Sequence, residues 1–220
     1  MIITTNEKII RKLLRDKYQK QYPNAIIRDE FTSLGLNTRN DLFLVDDSII
    51  ISFEIKSNRD TLKRLRSQIT EYKTYSSMVV IALDIKHVKK FEKDFEDLVD
   101  DNLTVYVYHD YELINYIDGI PKEFPNLLNL LWGSELLLFR EGLKGKSKLP
   151  KSSIASKKMI NAVFSQEEIS QISKYLFVKR LKDEPHKSKI KKYKPDIKDD
   201  DIKDLILEHQ ERFTKYLKEL

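Results

Sequence analysis

Apolar residues fall at three- and four-residue intervals between Asn6 and Tyr22, at Ile9, Ile10, Leu13, Leu14 and Tyr18, and Pro23 stops the pattern. This predicts a first amphipathic helix. Three short runs of β-type residues follow: AIIRDEF from Ala25, DLFLV from Asp41 and SIIISFEI from Ser48, with Asp46 and Asp47 as a tight turn between the last two. After Ile55 the period returns to helical, because Leu62, Leu65, Ile69 and Tyr72 recur at that spacing across Asn58 to Tyr75. MVVIAL from Met78 is a continuous apolar run of the kind a strand buried on both faces shows; a charged helix from Val88 to Val99 and LTVYVY from Leu103 come next. The predicted order is αβββαβ followed by αβ. Beyond Tyr108 the pattern predicts helices at Tyr111 to Ile117, Phe124 to Glu141, Ser165 to Leu181 and Lys198 to Leu220.

The segment GLKGKSKLPKSS from Gly142 to Ser153 is basic and has a linker's composition. The expected organisation is therefore a core over residues 1–142, a basic linker over 143–164 and a helical region over 165–220. Net charge is +5, and its excess lies late in the chain: from Lys144 to Lys194 there are 15 basic residues against four acidic ones. Such a stretch can hold a phosphate backbone, or simply solubilise a linker. The chain has no cysteine, which excludes disulfides, thiolate zinc sites, iron–sulfur clusters and cysteine nucleophiles. MIITTNEKIIRKLL interleaves charge with apolar residues and does not read as a signal peptide, and no apolar run is long enough for a bilayer span, so a cytoplasmic protein is expected.

The residues with chemical potential lie between Asp41 and Tyr72. Glu54 and Lys56 are two apart in an extended chain, so both side chains leave one face of the sheet while Ile55 points to the core. If Asp41 begins one hairpin strand and Glu54 ends its neighbour, their carboxylates converge at one end. Hard cations such as Mg2+ or Mn2+ take oxygen ligands of this kind, together with water and substrate phosphate. Beside such an ion the Lys56 ammonium can lower the pKa of an attacking water, position it, or neutralise charge on a phosphate. A strand otherwise built of Ile and Phe would not normally carry two charges without a purpose.

Asn40-Asp41 and Glu54-Ile55-Lys56, within an αβββαβ order, resemble the PD-(D/E)XK or restriction endonuclease-like nucleases over roughly residues 6–108. Asn40 stands where many members have proline. Gln68-Ile69-Thr70-Glu71-Tyr72 fits the Q-x-x-x-Y signature of the RecB and phage lambda exonuclease branch. FEIKSNRDTLKRLRSQITEY and LLNLLWGSELL are similar to a small family of predicted bacterial and phage nucleases with this core.

The resemblance implies an α/β fold with a restriction endonuclease-like core, a mixed central sheet and a helical C-terminal region. It also implies a Mg2+-dependent deoxyribonuclease. In that reading Asp41 and Glu54 bind the metal, with Glu30, or else Glu7, completing the site. Lys56 assists the water nucleophile and Gln68 supports a ligand or a water. Arg64 and Tyr72 approach DNA phosphate, and Arg39 is a further phosphate contact. Tyr72 also continues the apolar stripe of its helix, so core packing is its other reading. Trp132 and Glu135 read as parts of a packed helix, and the four histidines show no ligand spacing. Alanine at Lys56 or Glu54 is expected to abolish cleavage and leave the fold intact. The competing readings are a non-catalytic nucleic-acid-binding protein that retains the fold and an accessory interaction protein.

Overall fold

Among the described residues six strands arise where apolar and β-branched residues alternate or run together, and they lie in the sheet in chain order: β1 (Ile26–Phe31), β2 (Asn40–Val45), β3 (Ile50–Lys56), β4 (Met78–Asp84), β5 (Leu103–His109) and β6 (Glu112–Ile117). β1–β2 and β2–β3 are antiparallel, β3–β4 and β4–β5 parallel, and β5–β6 antiparallel. The sheet is thus mixed, and αβββαβ is the order of its first elements. A computed structural model of the chain describes residues 6–32, 37–46, 49–123, 125, 127–131, 133–136, 153–183 and 204. It divides the chain into two units, Met1–Pro125 and Asn126–Leu220.

In the first unit the two faces of the sheet have different covers. Helix α1 (Glu7–Gln21) sets Ile10, Leu14 and Tyr18 onto Leu42, Leu44, Ile51, Phe53, Ile55, Val80 and Ala82. These are alternate strand residues, so the period of two in each strand decides which side chains α1 sees. The opposite face carries α2 (Leu65–Tyr72) and α3 (Val88–Phe95), the crossovers that parallel pairing requires. Arg66 of α2 lies over the Phe95 ring of α3 at 5.6 Å and donates to Asp97 Oδ2 at 2.6 Å, tying the crossovers together.

Several elements differ from the sequence expectation. Tyr111 to Ile117 is no helix. Asp110 and Tyr111 both take positive φ, 48° and 65°, and form a two-residue turn that returns the chain as β6, pairing His109 with Glu112 and Tyr108 with Leu113. The helix expected from Asn58 begins at Leu65, because Asp60 Oδ2 accepts the Ser57 backbone N–H at 2.8 Å and turns the chain before it can coil.

Gly119 follows β6 and packs against β5. An added Cβ would stand 2.7 Å from the Leu103 carbonyl carbon and 2.8 Å from its oxygen. Gly119→Ala should therefore destabilise the first unit by about 1–3 kcal/mol, read as a lower urea midpoint at unchanged slope.

In the second unit, helices α4 (Ser153–Val163) and α5 (Gln166–Asp183) are separated by Phe164 and Ser165. α5 matches the helix expected from Ser165. α4, however, falls inside the stretch expected to be linker, and the boundary between units lies at Pro125, before residue 142. The helix expected over Phe124 to Glu141 is interrupted: Leu128–Leu130 is a 3-10 turn, Leu131 is extended, and helix resumes over 133–136. Glu135 is fully buried against Arg180 at 2.7 Å, a structural role. Trp132 and the helix expected over Lys198 to Leu220, apart from Asp204, lie outside the described residues. Among the described residues no helix is long and apolar enough to cross a membrane.

Candidate metal centre

β2 and β3 pair as Leu42↔Phe53 and Phe43↔Ser52, so the next step of the same register sets Asp41 opposite Glu54. On the other side of β2 the register runs Asp29↔Leu42 and Phe31↔Asn40, which brackets Asp41 with Glu30. Three carboxylates therefore lie in one row across three strands. Like charges facing each other across a sheet are destabilising unless something compensates them. Glu30 interrupts the regular ladder, with φ at 52°, in the left-handed region.

Glu54 and Lys56 project from the face of β3 toward α2, as their spacing predicts, and both are buried, at 3% and 5% exposure. Lys56 Nζ donates to Glu54 Oε1 at 2.6 Å and to Gln68 Oε1 at 3.0 Å, while Gln68 Nε2 donates to the same Glu54 oxygen at 2.7 Å. Gln68 and Tyr72, one turn apart on α2, share the face that meets β3. The Tyr72 hydroxyl stands 2.7 Å from Glu54 Oε2 and 2.8 Å from the Arg39 carbonyl oxygen. Burial, then the adjacent Glu54 charge, pushes this phenol well above its ordinary range, so it stays protonated as a donor. Tyr72 is fully buried. Its hydroxyl orients Glu54 and its ring belongs to the core, in keeping with the packing reading of its helical stripe.

Asp41 is held differently. Its Oδ2 accepts the Ile55 backbone N–H at 2.7 Å, whereas Oδ1 lies 3.9 Å from Arg11 Nη2, beyond hydrogen-bond length. Burial, and then the Glu54 charge, raises the Asp41 pKa from 3.8 to about 7, with the Ile55 N–H, Arg11 and Lys56 acting in the other direction. Two facing carboxylates that line the cleft, Glu54 paired with Lys56 and Asp41 held by the Ile55 N–H, are a donor set of the kind a hard cation takes. Among the described residues no group of three or more His, Cys, Asp or Glu is arranged as a cage, so the fit is to two carboxylates with water and substrate oxygens completing the shell.

The cluster opens onto a cleft of about 800 Å³, lined among others by Glu7, Glu30, Arg39, Asp41, Glu54, Lys56, Arg64 and Gln68. Arg64, just before α2, is exposed at its wall. Arg39 is exposed too, and its Nη2 pairs with Glu30 Oε2 at 2.7 Å. Glu30 is thus engaged by guanidinium groups at the rim, whereas Asp41 and Glu54 form the floor. Asn40, at the position where proline is common in the nuclease pattern, is fully buried and donates to the Tyr75 hydroxyl at 2.9 Å, a packing role.

Arg11 escaped the sequence reading. Its guanidinium reaches Glu7 Oε1 at 2.6 Å and Glu30 Oε1 at 2.9 Å, and it also donates to the Asp41 main-chain carbonyl. The available signal was the i,i+4 spacing of Glu7 and Arg11 on the first helix.

The family described as bacteriophage P4 protein cII matches residues 4–123, the span that carries the sheet and the cluster. No curated protein matches. Among solved structures, a protein of unknown function from Silicibacter pomeroyi, SPO1766, is similar at 12% identity with a TM-score of 0.36, covering 56% of this chain and 77% of that one.

Proposed function

The chain belongs to the bacteriophage P4 protein cII family, and we propose that its acid–lysine cluster makes it a metal-dependent nuclease that hydrolyses phosphodiester bonds in DNA. The observation that carries this reading is a second acid, Asp41, facing a buried Glu54–Lys56–Gln68 network at the floor of an open cleft. A buried ion pair kept for packing alone needs no further carboxylate beside it, since that carboxylate only adds repulsion. The resemblance of Asp41, Glu54-Ile55-Lys56 and Gln68-x-x-x-Tyr72 to the PD-(D/E)XK pattern supports the same reading.

Mg2+ or Mn2+ held by Asp41 and Glu54 would supply Lewis acidity toward a phosphate oxygen and ease deprotonation of water. The residues do the positioning. Gln68 and Tyr72 fix both oxygens of Glu54, so its orientation is set before substrate arrives. Lys56 stands between Glu54 and Gln68, where its ammonium can orient a nucleophilic water or offset charge developing on the phosphate. Arg64, exposed at the cleft wall, suits a contact with the phosphate backbone.

Incubation of the protein with linear duplex, circular and single-stranded DNA, in Mg2+, Mn2+ or EDTA, tests the proposal. Metal-dependent cleavage that Lys56→Ala lacks is the expected result, and sparing of circles would mark an exonuclease. Absence of cleavage with every substrate and metal, with DNA binding that persists in EDTA, would replace the nuclease by a non-catalytic nucleic-acid-binding protein.

A further inference from the structure

We propose that Arg11 is the positioning residue of Asp41: its guanidinium takes the place of the β1–β2 rung that Glu30 vacates, and so ties the backbone of Asp41 to β1 and α1. This rests on the metal-dependent reading above. The two strands pair as Asp29↔Leu42 and Phe31↔Asn40, and between those rungs Glu30 turns out of the ladder with φ at 52°. Asp41 stands opposite that gap. There Arg11 Nη1 donates to the Asp41 main-chain carbonyl, while Nη2 donates to Glu30 Oε1 at 2.9 Å and to Glu7 Oε1 at 2.6 Å. One side chain thus spans β2, β1 and α1, as a guanidinium can because its donors form a rigid planar fork. The other Glu30 oxygen is taken by Arg39 Nη2 at 2.7 Å, so the β1 end of the bridge is itself held.

The two acids of the centre are then oriented by different means. Gln68 and Tyr72 hold both oxygens of Glu54, whereas Asp41 has its Oδ2 fixed from β3 by the Ile55 N–H at 2.7 Å and its backbone fixed from the other side by Arg11. A ligand whose support is left loose moves by enough to spoil a site. Two other duties do not account for Arg11. α1 is seated on the sheet by Ile10, Leu14 and Tyr18, and Glu7 and Glu30, whose side chains are each 38% exposed, can take water where the guanidinium is lost. Nor does it serve as a wall for substrate: Glu7, Glu30 and Asp41 line the cleft and Arg11 does not.

Two measurements on the full chain test this, one of them independent of cleavage. The Ile55 amide resonance in a 15N–1H spectrum reports whether Asp41 Oδ2 still accepts its proton. In Arg11→Met it should move toward its position in Asp41→Ala, and Arg11→Lys, which keeps the charge but not the fork, should move it the same way. In steady-state DNA cleavage at saturating Mg2+, kcat of both variants should fall about 10- to 100-fold, the range for losing a group that orients a metal ligand, with KM for DNA unchanged. If Arg11→Met does not fold, Arg11→Lys carries the comparison. An unmoved Ile55 resonance overturns the proposal. So does a variant that keeps the wild-type kcat and raises KM, which would make Arg11 a phosphate contact, and so does full activity in Arg11→Lys, which would leave charge and not position as its role. Should wild type cleave nothing, the nuclease reading falls, and the Ile55 resonance alone decides whether Arg11 places Asp41.

Discussion

Asp41→Asn should remove cleavage and, at the same time, make the protein more stable at pH 8. The first effect follows from deleting a metal ligand. A loss of about 100-fold or more is expected, since residues that merely support a ligand already cost 10–100-fold. The second follows from proton linkage. Asp41 titrates at about 7 when folded against 3.8 as a model acid, so between those values the native state binds the extra proton. Its contribution is therefore complete below about pH 4 and is lost as pH rises toward 7. Above that the folded chain carries an Asp41 charge that burial and Glu54 both oppose, a difference on the order of 4 kcal/mol. Asparagine keeps an acceptor for the Ile55 N–H and carries no charge. Urea unfolding at pH 5 and pH 8 should show wild type weakening across that interval and Asp41→Asn weakening much less. Mg2+ at pH 8 should raise the wild-type midpoint and leave the variant unmoved. Parallel pH profiles for the two proteins would remove the argument.

Lys56→Met should abolish activity and weaken the fold, where the sequence alone led us to expect a fold left intact. Sequence spacing places Lys56 and Glu54 on one face but says nothing of depth, and both are almost inaccessible. Removing the ammonium strands the Glu54 carboxylate, and breaking a buried pair from one side typically costs about 3–5 kcal/mol. Replacing both partners does not incur that cost. Glu54→Gln/Lys56→Met should recover most of the lost stability and none of the activity, which makes a double-mutant cycle the proper measurement. If the double variant were as unstable as Lys56→Met, the network around Gln68 and Tyr72, and not the charge pair, would be holding the site. If Lys56→Met cleaved DNA at the wild-type rate, the assignment of Lys56 would be wrong.

The hairpin and its charges were legible because two local rules coincide there. Period-two alternation separates Ile55 from Glu54 and Lys56, and helical spacing pairs Gln68 with Tyr72. Legibility ended where long side chains or local competition decide the outcome. Arg11 spans α1, β1 and β2, a juxtaposition only the assembled sheet creates. Asp60 captures the Ser57 N–H and delays α2, which no hydrophobic period records. Ile114 and Ile117 stand three apart as in a helix, yet the turn at Asp110 and Tyr111 makes them strand residues. Tyr72 lay on the correct face, but spacing could not distinguish a hydroxyl aimed at substrate from one aimed at Glu54.

The strictly sequential strand order has a consequence for how the centre is assembled during folding. β1–β2 and β2–β3 are closed by short connections and can pair early, whereas β3–β4 must wait for a crossover that includes α2. Loop-closure entropy therefore predicts that Glu54 and Lys56 stay hydrated at the margin of the three-stranded β1–β3 meander until the crossover docks, and that Gln68 and Tyr72, carried by that same crossover, reach them as the water leaves.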